Sequence, residues 1–325
     1  MNYIGSKAKL LPFLHTHIEA FARSNLSSKI FCDLFAGSGI VGHSFAQKGY
    51  TILSNDCEYY SYVLNHALLQ TGELEQIPQI IASLNAIPLK KGLIYHYYCE
   101  GSGSGRNYFS DENGQKIDAV RQGIEAYKGN EKLYFFLLAS LVLSADKVAN
   151  TASVYSAFLK HLKPLAHVPL LLEALAYQPT PKPHQIFCED ANVLISKLQG
   201  DILYLDPPYN RRQYGANYHI LNTIAYYDDF NPKGKTGVRD YQSSPYCKTT
   251  TALNALENLI QKARFPYIFM SYNDEGLISC EAIASMMKKY GNYNHEKVLH
   301  QRFKSYQNRL QKRLNYEYLH CLEKI

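Results

Sequence analysis

Over the first seventy residues the apolar positions switch between two periods. "KAKLLPFLHTHIEAFARS" (7–24) has apolar residues at helical spacing, and "IFCDLF" (30–35), apolar but for Asp33, reads as a buried strand. "GIVGHSFAQKG" (39–49) predicts a helix ending at Gly49, "YTILSND" (50–56) a second strand closed by a carboxylate, and "EYYSYVLNHALLQ" (58–70) another helix. A β-α-β-α start predicts a parallel sheet. From 71 to 183 the pattern is mostly helical, with an apolar run "LYFFLLASLVLSA" (133–145) that reads as a buried helix. The Gly/Ser-rich "CEGSGSGRNYFSDENGQ" (99–115) reads as a mobile loop. After "TPKPHQ" (180–185), strands resume at 185–190, 201–209 and 266–273, with two more around "NHEKVLHQRF" and "LNYEYLHCLEKI". No internal repeat is visible. The expected architecture is one α/β sheet domain, residues 1–70 and 184–325, with a helical insertion at 71–183.

Composition narrows the setting. The chain has 325 residues, 46% hydrophobic and 19% charged, with 28 Tyr and no Trp. Its longest uncharged apolar run is too short to span a bilayer. His15, His17 and Glu19 break any apolar core that a signal peptide would need. The expectation is a cytoplasmic protein with no membrane partner. Its seven Cys form no C-x-x-C pair, so neither a zinc site nor a disulfide framework is expected, and Cys32 and Cys188 read as core residues. Net charge is +6, and residues 210–325 alone carry an excess of +7. A basic segment of this kind fits either a polyanion partner or a solvated face.

Two motifs carry chemistry. In "CDLFAGSGIVG" (32–42), Gly37, Gly39 and Gly42 match G-x-G-x-x-G after a strand, with Asp56 following, which by itself reads as a dinucleotide site. "LYLDPPYN" (203–210) is a short apolar strand ending in Asp206, Pro207, Pro208 and Tyr209. Prolines donate no backbone N–H and fix φ, so the turn is stiff and its carbonyls are left to accept. Asp206 and the Pro207 carbonyl suit the two N–H bonds of an exocyclic amine, and Tyr209 suits stacking on the base that bears it. Ligands of open α/β sheets sit beyond the carboxyl ends of the strands, so the two motifs can face one crevice.

Together these motifs resemble the D12-class (Dam-like) N6-adenine DNA methyltransferases. "NYIGSKAKLLPFL" (2–14) resembles the family's N-terminal cofactor motif and "DLFAGSGIVG" (33–42) its S-adenosylmethionine (SAM) loop. "SNDCEYYSYVLNHAL" (54–68) is similar to the ribose-binding segment, "CEDANVL" (188–194) to the segment that contacts the cofactor adenine, and "DPPY" to the catalytic tetrapeptide. "NRRQYGANYHILNTIAYYD" (210–228) and "SYNDEGLIS" (271–279) resemble the branch that includes type IIS modification methyltransferases.

The resemblance implies a Rossmann-like SAM-dependent methyltransferase sheet with a mostly helical inserted target-recognition domain. It implies SAM rather than NAD. SAM has no pyrophosphate to cradle, and the third glycine of the motif is then expected to be incidental. Asp33 is implied to face the methionine amino group, or else to cap the loop. Phe35, Gly37 and Gly39 shape that loop, and Asp56 accepts from the ribose hydroxyls. Asp190 accepts from the cofactor's amino group, caps the following helix, or does both. Tyr3, Gly5 and Lys7 contact the methionine end or form a plain chain entry. The implied reaction is methyl transfer to N6 of an adenine flipped out of duplex DNA, with no metal. Arg211, Arg212, Tyr214 and Asn217 are candidate DNA contacts, against a solvated polar loop. Lys297, Arg302, Lys304, Arg309, Lys312 and Arg313 are candidate phosphate contacts. A cognate restriction endonuclease is an implied companion. The alternatives left open are an amino-methyltransferase of cytosine N4 or RNA adenine, and a non-catalytic DNA-binding module.

Overall fold

The computed structural model describes residues 7–22, 26, 28–72, 75–180, 182–301 and 314–325. Its contacts group the chain into two units. One holds residues 7–57, Thr180–Gln213 and the described part of Ser243–Ile325, and the other holds Glu58–Pro179 and Tyr214–Gln242. The helix Tyr59–Gln70 groups with the second unit, whereas the sequence pattern assigns it to the sheet. The reason is its apolar face: Tyr60, Val63, Leu64 and Ala67 join the core built on the helix Glu131–Val148.

The first unit is a seven-stranded sheet. Its strands are β1 (Ile30–Asp33), β2 (Thr51–Asn55), β3 (Gln185–Phe187), β4 (Ile202–Leu205), β5 (Tyr267–Asn273), β6 (Gly291–Gln301) and β7 (Leu314–Lys324). They lie in the order β3-β2-β1-β4-β5-β7-β6. The first five are mutually parallel, and β7 runs antiparallel to both β5 and β6. β1 and β4, near the middle, are buried along nearly their whole length. A strand covered on both faces cannot alternate, which is why β4 reads as an unbroken apolar run and β1 as one closed by Asp33. β3 is one of the two edge strands and is partly exposed. From β1 the chain steps out to β2 and β3, then returns to β4 on the other side of β1. That reversal is the topological switch point, the place where open α/β sheets bind ligands. The pairing of Asp33 with Tyr204 brings the carboxyl ends of β1 and β4 side by side there. Behind them, Leu203, Leu205, Ile268 and Met270 pack with Leu256, Leu259 and Ile260 of the helix Ala252–Lys262.

The second unit is helical, with helices at Tyr59–Gln70, Ile77–Ala86, Leu93–Tyr98, Asp111–Ile124, Glu131–Val148 and His219–Tyr226. Two expectations for residues 71–183 are corrected. The loop read at 99–115 gives way to helix at Asp111, because the Ser110 hydroxyl accepts from the Asn113 amide (3.3 Å) and Asp111 and Glu112 favour the first turn. The helical pattern also ends at Val148. Residues 149–180 hold only one short 3₁₀ turn, Pro164–His167, and prolines at 164, 169 and 179 interrupt any longer helix. Side chains of the flanking helices satisfy this irregular backbone instead. Asn113 Oδ1 accepts from Leu170 N (2.7 Å), Asn85 Oδ1 from Leu172 N (2.9 Å) and Ser140 Oγ from Leu175 N (3.0 Å). Among the described residues, no helix is long and apolar enough to cross a membrane.

Candidate active site

The loop after β1 is shaped by its glycines. Gly37 and Gly39 both have positive φ, 51° and 77°, a conformation that costs other residues energy. Gly39 thereby starts the helix Ile40–Gln47. The Gly37 amide donates to Asp56 Oδ2 (2.8 Å), so the carboxylate at the end of β2 holds the loop of β1. Asn55 ties in the third segment: its side-chain amide donates to the carbonyls of Leu34 and Glu189, and its Oδ1 accepts from Glu189 N.

Asp33 is buried, and its Oδ2 accepts from the Gly42 amide (3.0 Å). Gly42 is therefore not incidental. A Cβ there would lie 3.3 Å from Ile52 Cγ2, a tight contact that a shift of a few tenths of an ångström relieves, and 3.4 Å from Asp33 Oδ2, an ordinary contact. Burial, opposed by the Gly42 hydrogen bond and reinforced by the charges of Asp206 and Asp56, pushes the Asp33 carboxyl up to about 8.

Asp206 sits beyond the end of β4 with its side chain 19% exposed, enough for an incoming group to reach it. Lys7 Nζ lies 2.9 Å from Asp206 Oδ1 and 3.0 Å from Glu317 Oε1. The Glu317 contact is a charge contact rather than an aligned hydrogen bond, since Oε1 has no partner of hydrogen-bond geometry. Burial raises the Asp206 carboxyl, Lys7 lowers it, Glu317 raises it, and it stands at about 6. Burial works against the Lys7 ammonium, but the charges of Asp206 and Glu317 outweigh it and lift its pKa well above the ordinary value.

Pro207 is buried, while Pro208 and Tyr209 are half-buried. The Tyr209 ring meets Tyr272 edge-to-face at 6.4 Å, and its carbonyl accepts from Leu277 N (2.9 Å). The segment 271–279 thus fixes the stiff turn from outside.

The other expected site residues divide. Phe35 packs edge-to-face on Tyr246 at 5.2 Å. Asp190 caps the helix Ala191–Leu194, accepting from Val193 N (3.1 Å). Tyr3 and Gly5 lie outside the described residues, as do Arg302, Lys304, Arg309, Lys312 and Arg313. Arg211, Arg212 and Lys297 are exposed, and Tyr214, in the helical unit, is half-buried. Asn217 is buried, so its side chain offers no surface to DNA. Cys188 is exposed rather than in the core, because it follows the edge strand β3; Cys32, on central β1, is buried. Among the described residues, no cluster of His, Cys, Asp or Glu could hold a metal ion.

A family model described as D12 class N6 adenine-specific DNA methyltransferase matches residues 3–286. The chain belongs to this family. It is 52% identical to the type II methyltransferase M.NlaIII of Neisseria lactamica, over 100% of this chain and 99% of that protein. It is 37% identical to the type II methyltransferase M.FokI of Planomicrobium okeanokoites, over 94% of this chain but 50% of that protein. It is 35% identical to M.CviAII of Paramecium bursaria Chlorella virus 1, over 94% of this chain and 93% of that protein. As a D12-class enzyme it methylates adenine N6 in DNA, and SAM is its methyl donor. The donor set suits SAM, whose sulfonium and ammonium are cationic. The charges of Asp206 and Asp56 both raise the Asp33 carboxyl, and the buried cation beside Asp206, Lys7, is shared between Asp206 and Glu317.

Sequence reasoning missed two features of this D12 site. Lys7 pairs with Asp206, a contact that its place in the N-terminal motif did not announce. Glu317 carried no signal, since it lies in no motif and beyond the residues matched to the family.

Proposed function

We propose that Asp206 and the Pro207 carbonyl accept the two N–H bonds of an adenine amine, that Tyr209 stacks on the flipped base, and that the loops after β1, β2 and β3 hold SAM. The observation that carries this is the register of β1 with β4. It pairs Asp33 with Tyr204, two residues before Asp206, so the two motifs leave neighbouring strands at the switch point. SAM supplies a methyl group on a positively charged sulfur. The chain's own residues position the amine, since much of the rate comes from holding nucleophile and methyl in line. As the N6 lone pair forms the new N–C bond, the sulfur keeps the C–S pair and positive charge grows on N6. The Asp206 carboxylate stabilises that charge, and one N6 proton then passes to solvent. The chemistry needs little acid–base help and no nucleophilic thiol.

Phe35, Gly37, Gly39, Asp33, Asp56 and Asp190 are the proposed cofactor residues. Their arrangement gives a pH test. Asp33, with its carboxyl near 8, is mostly protonated in the free protein at neutral pH. A cationic partner favours the carboxylate, so SAM binding is expected to release a proton near pH 7 and to tighten as pH rises from 6 towards 8. Calorimetry in buffers of different ionisation enthalpy measures the release. An enthalpy independent of buffer assigns Asp33 to capping the loop through Gly42 and nothing more.

The helical unit is proposed to read the target sequence, and the exposed Arg211, Arg212 and Lys297 to contact phosphates in double-stranded DNA. DNA affinity is then expected to fall steeply with salt, each neutralised phosphate adding about −0.9 to the slope of log K against log salt. A slope near zero overturns the phosphate role. A cognate endonuclease is proposed from the names of the relatives, which include a modification methylase, StsI of Streptococcus sanguinis. Such a pair works in the cytoplasm, where the DNA is. Long-read detection of modified adenines in DNA from cells expressing the protein tests the whole reading. N6-methyladenine confined to one short sequence supports it, and unmodified DNA sinks it.

A further inference from the structure

Glu317 is an acidic residue, buried, and lies beyond the residues matched to the family. It projects from β7, opposite Asn273 of β5, and its Oε2 accepts from the Asn273 amide (3.4 Å). Its other oxygen lies 3.0 Å from Lys7 Nζ, which is itself 2.9 Å from Asp206 Oδ1. A carboxylate buried beside a second carboxylate is costly unless a cation lies between them, and Lys7 is that cation.

The charges matter for the reaction. Lys7 and Asp206 alone would form a neutral pair, poorly matched to a nitrogen that becomes positive in the transition state. With Glu317 the three groups carry one net negative charge. Lys7 also occupies Asp206 Oδ1, which leaves Oδ2 to accept from the amine. We propose that Glu317 is a positioning residue for methyl transfer: it anchors Lys7 against Asp206 Oδ1 and restores to the site the negative charge that Lys7 cancels. This rests on the reading of Asp206 as the acceptor for the adenine amine.

The proposal makes Glu317 act through two neighbours, so it predicts more than a loss of rate. Asp206 faces Lys7, Glu317, Asp33, Tyr204 and Tyr209. Of these, Glu317 raises its pKa and Lys7 lowers it. Glu317→Gln keeps the shape and an oxygen for Lys7 but removes the charge. The single-turnover rate of methyl transfer at pH 8 is expected to fall by roughly five- to twentyfold, a fraction of what removing a direct transition-state contact does. SAM affinity and KM for DNA should move less than about twofold. The acid limb of the rate, expected near pH 6 in the wild type from Asp206, should shift to lower pH. Glu317→Asp, which keeps the charge on a shorter arm, should recover much of the rate, and it carries the test if the Gln variant fails to fold.

A merely structural Glu317 would lower the melting temperature and leave the acid limb in place. An unmoved limb, or a Gln variant as fast as the wild type, overturns the proposal. Asp206→Ala run in parallel separates the two readings. If that variant is active, the role of Asp206 itself fails. If it is inactive and Glu317→Gln is unaffected, only the role of Glu317 fails.

Discussion

Asp206→Ala is expected to lower the methylation rate by more than a hundredfold while SAM affinity changes less than about twofold. Removing a single preorganised contact to a developing charge costs about 10²–10³ in rate, and Asp206 is proposed both to receive the amine and to offset its charge. The proposed cofactor residues belong to other segments: Asp33 is held by Gly42, and Asp56 holds Gly37. The substitution has a structural side as well. Breaking a buried ion pair costs about 3–5 kcal/mol when it strands a lone charge. Lys7 keeps Glu317 as a partner, so the loss of stability should be smaller than that. Activity is therefore compared well below the melting temperature of the variant, with SAM binding measured on the same sample. A variant that keeps a tenth of the wild-type rate removes Asp206 from its proposed role.

The parts of this site that were legible in the sequence are those whose physics is local. β1 and β4 are covered on both faces, so their sequences are apolar runs, interrupted only by Asp33 at the end of β1, and each is followed at once by the residues of its loop. Gly37 and Gly39 stand where the backbone needs positive φ. The helix Glu131–Val148 was legible because burial all round makes it apolar all round. What failed to show depends on tertiary neighbours. Gly42 looks dispensable until Asp33 and Ile52 are seen against it. Cys188 looks like a core residue until β3 is known to be an edge strand. Asn217 looks like a polar loop residue, but its carbonyl accepts from Tyr155 N (2.7 Å) and its side chain is buried. Residues 149–180 look helical in composition, yet their backbone is satisfied by asparagines and serines far away in sequence. The Lys7–Asp206–Glu317 cluster is the extreme case. It draws on the beginning, middle and end of the chain, and no spacing rule joins them.

Tyr209 gives the second large effect, and here the contrast between two substitutions carries the argument. A ring that stacks on a flipped adenine works through its aromatic face, and its hydroxyl is dispensable. Base–aromatic stacking is worth about 1–3 kcal/mol by alanine substitution. Tyr209→Phe is therefore expected to stay within a few-fold of the wild type. Tyr209→Ala should lower kcat/KM by roughly tenfold to a few-hundredfold, with SAM affinity changed much less. The structure also gives Tyr209 a second contact, the edge-to-face packing on Tyr272 at 6.4 Å, which both Tyr and Phe preserve and Ala loses. Tyr272→Leu separates the two contributions. If Tyr209 acts by stacking on the base, removing its neighbour should loosen the ring and cost only a few-fold. If Tyr209 is only a core residue that anchors the turn, Tyr209→Ala should lower melting temperature and SAM binding together with activity. A Phe variant as damaged as the Ala variant would make the phenol oxygen the working group. Equal activity of all three on duplex DNA would leave the flipped base without a stacking partner here. Either result removes Tyr209 from the proposed reaction.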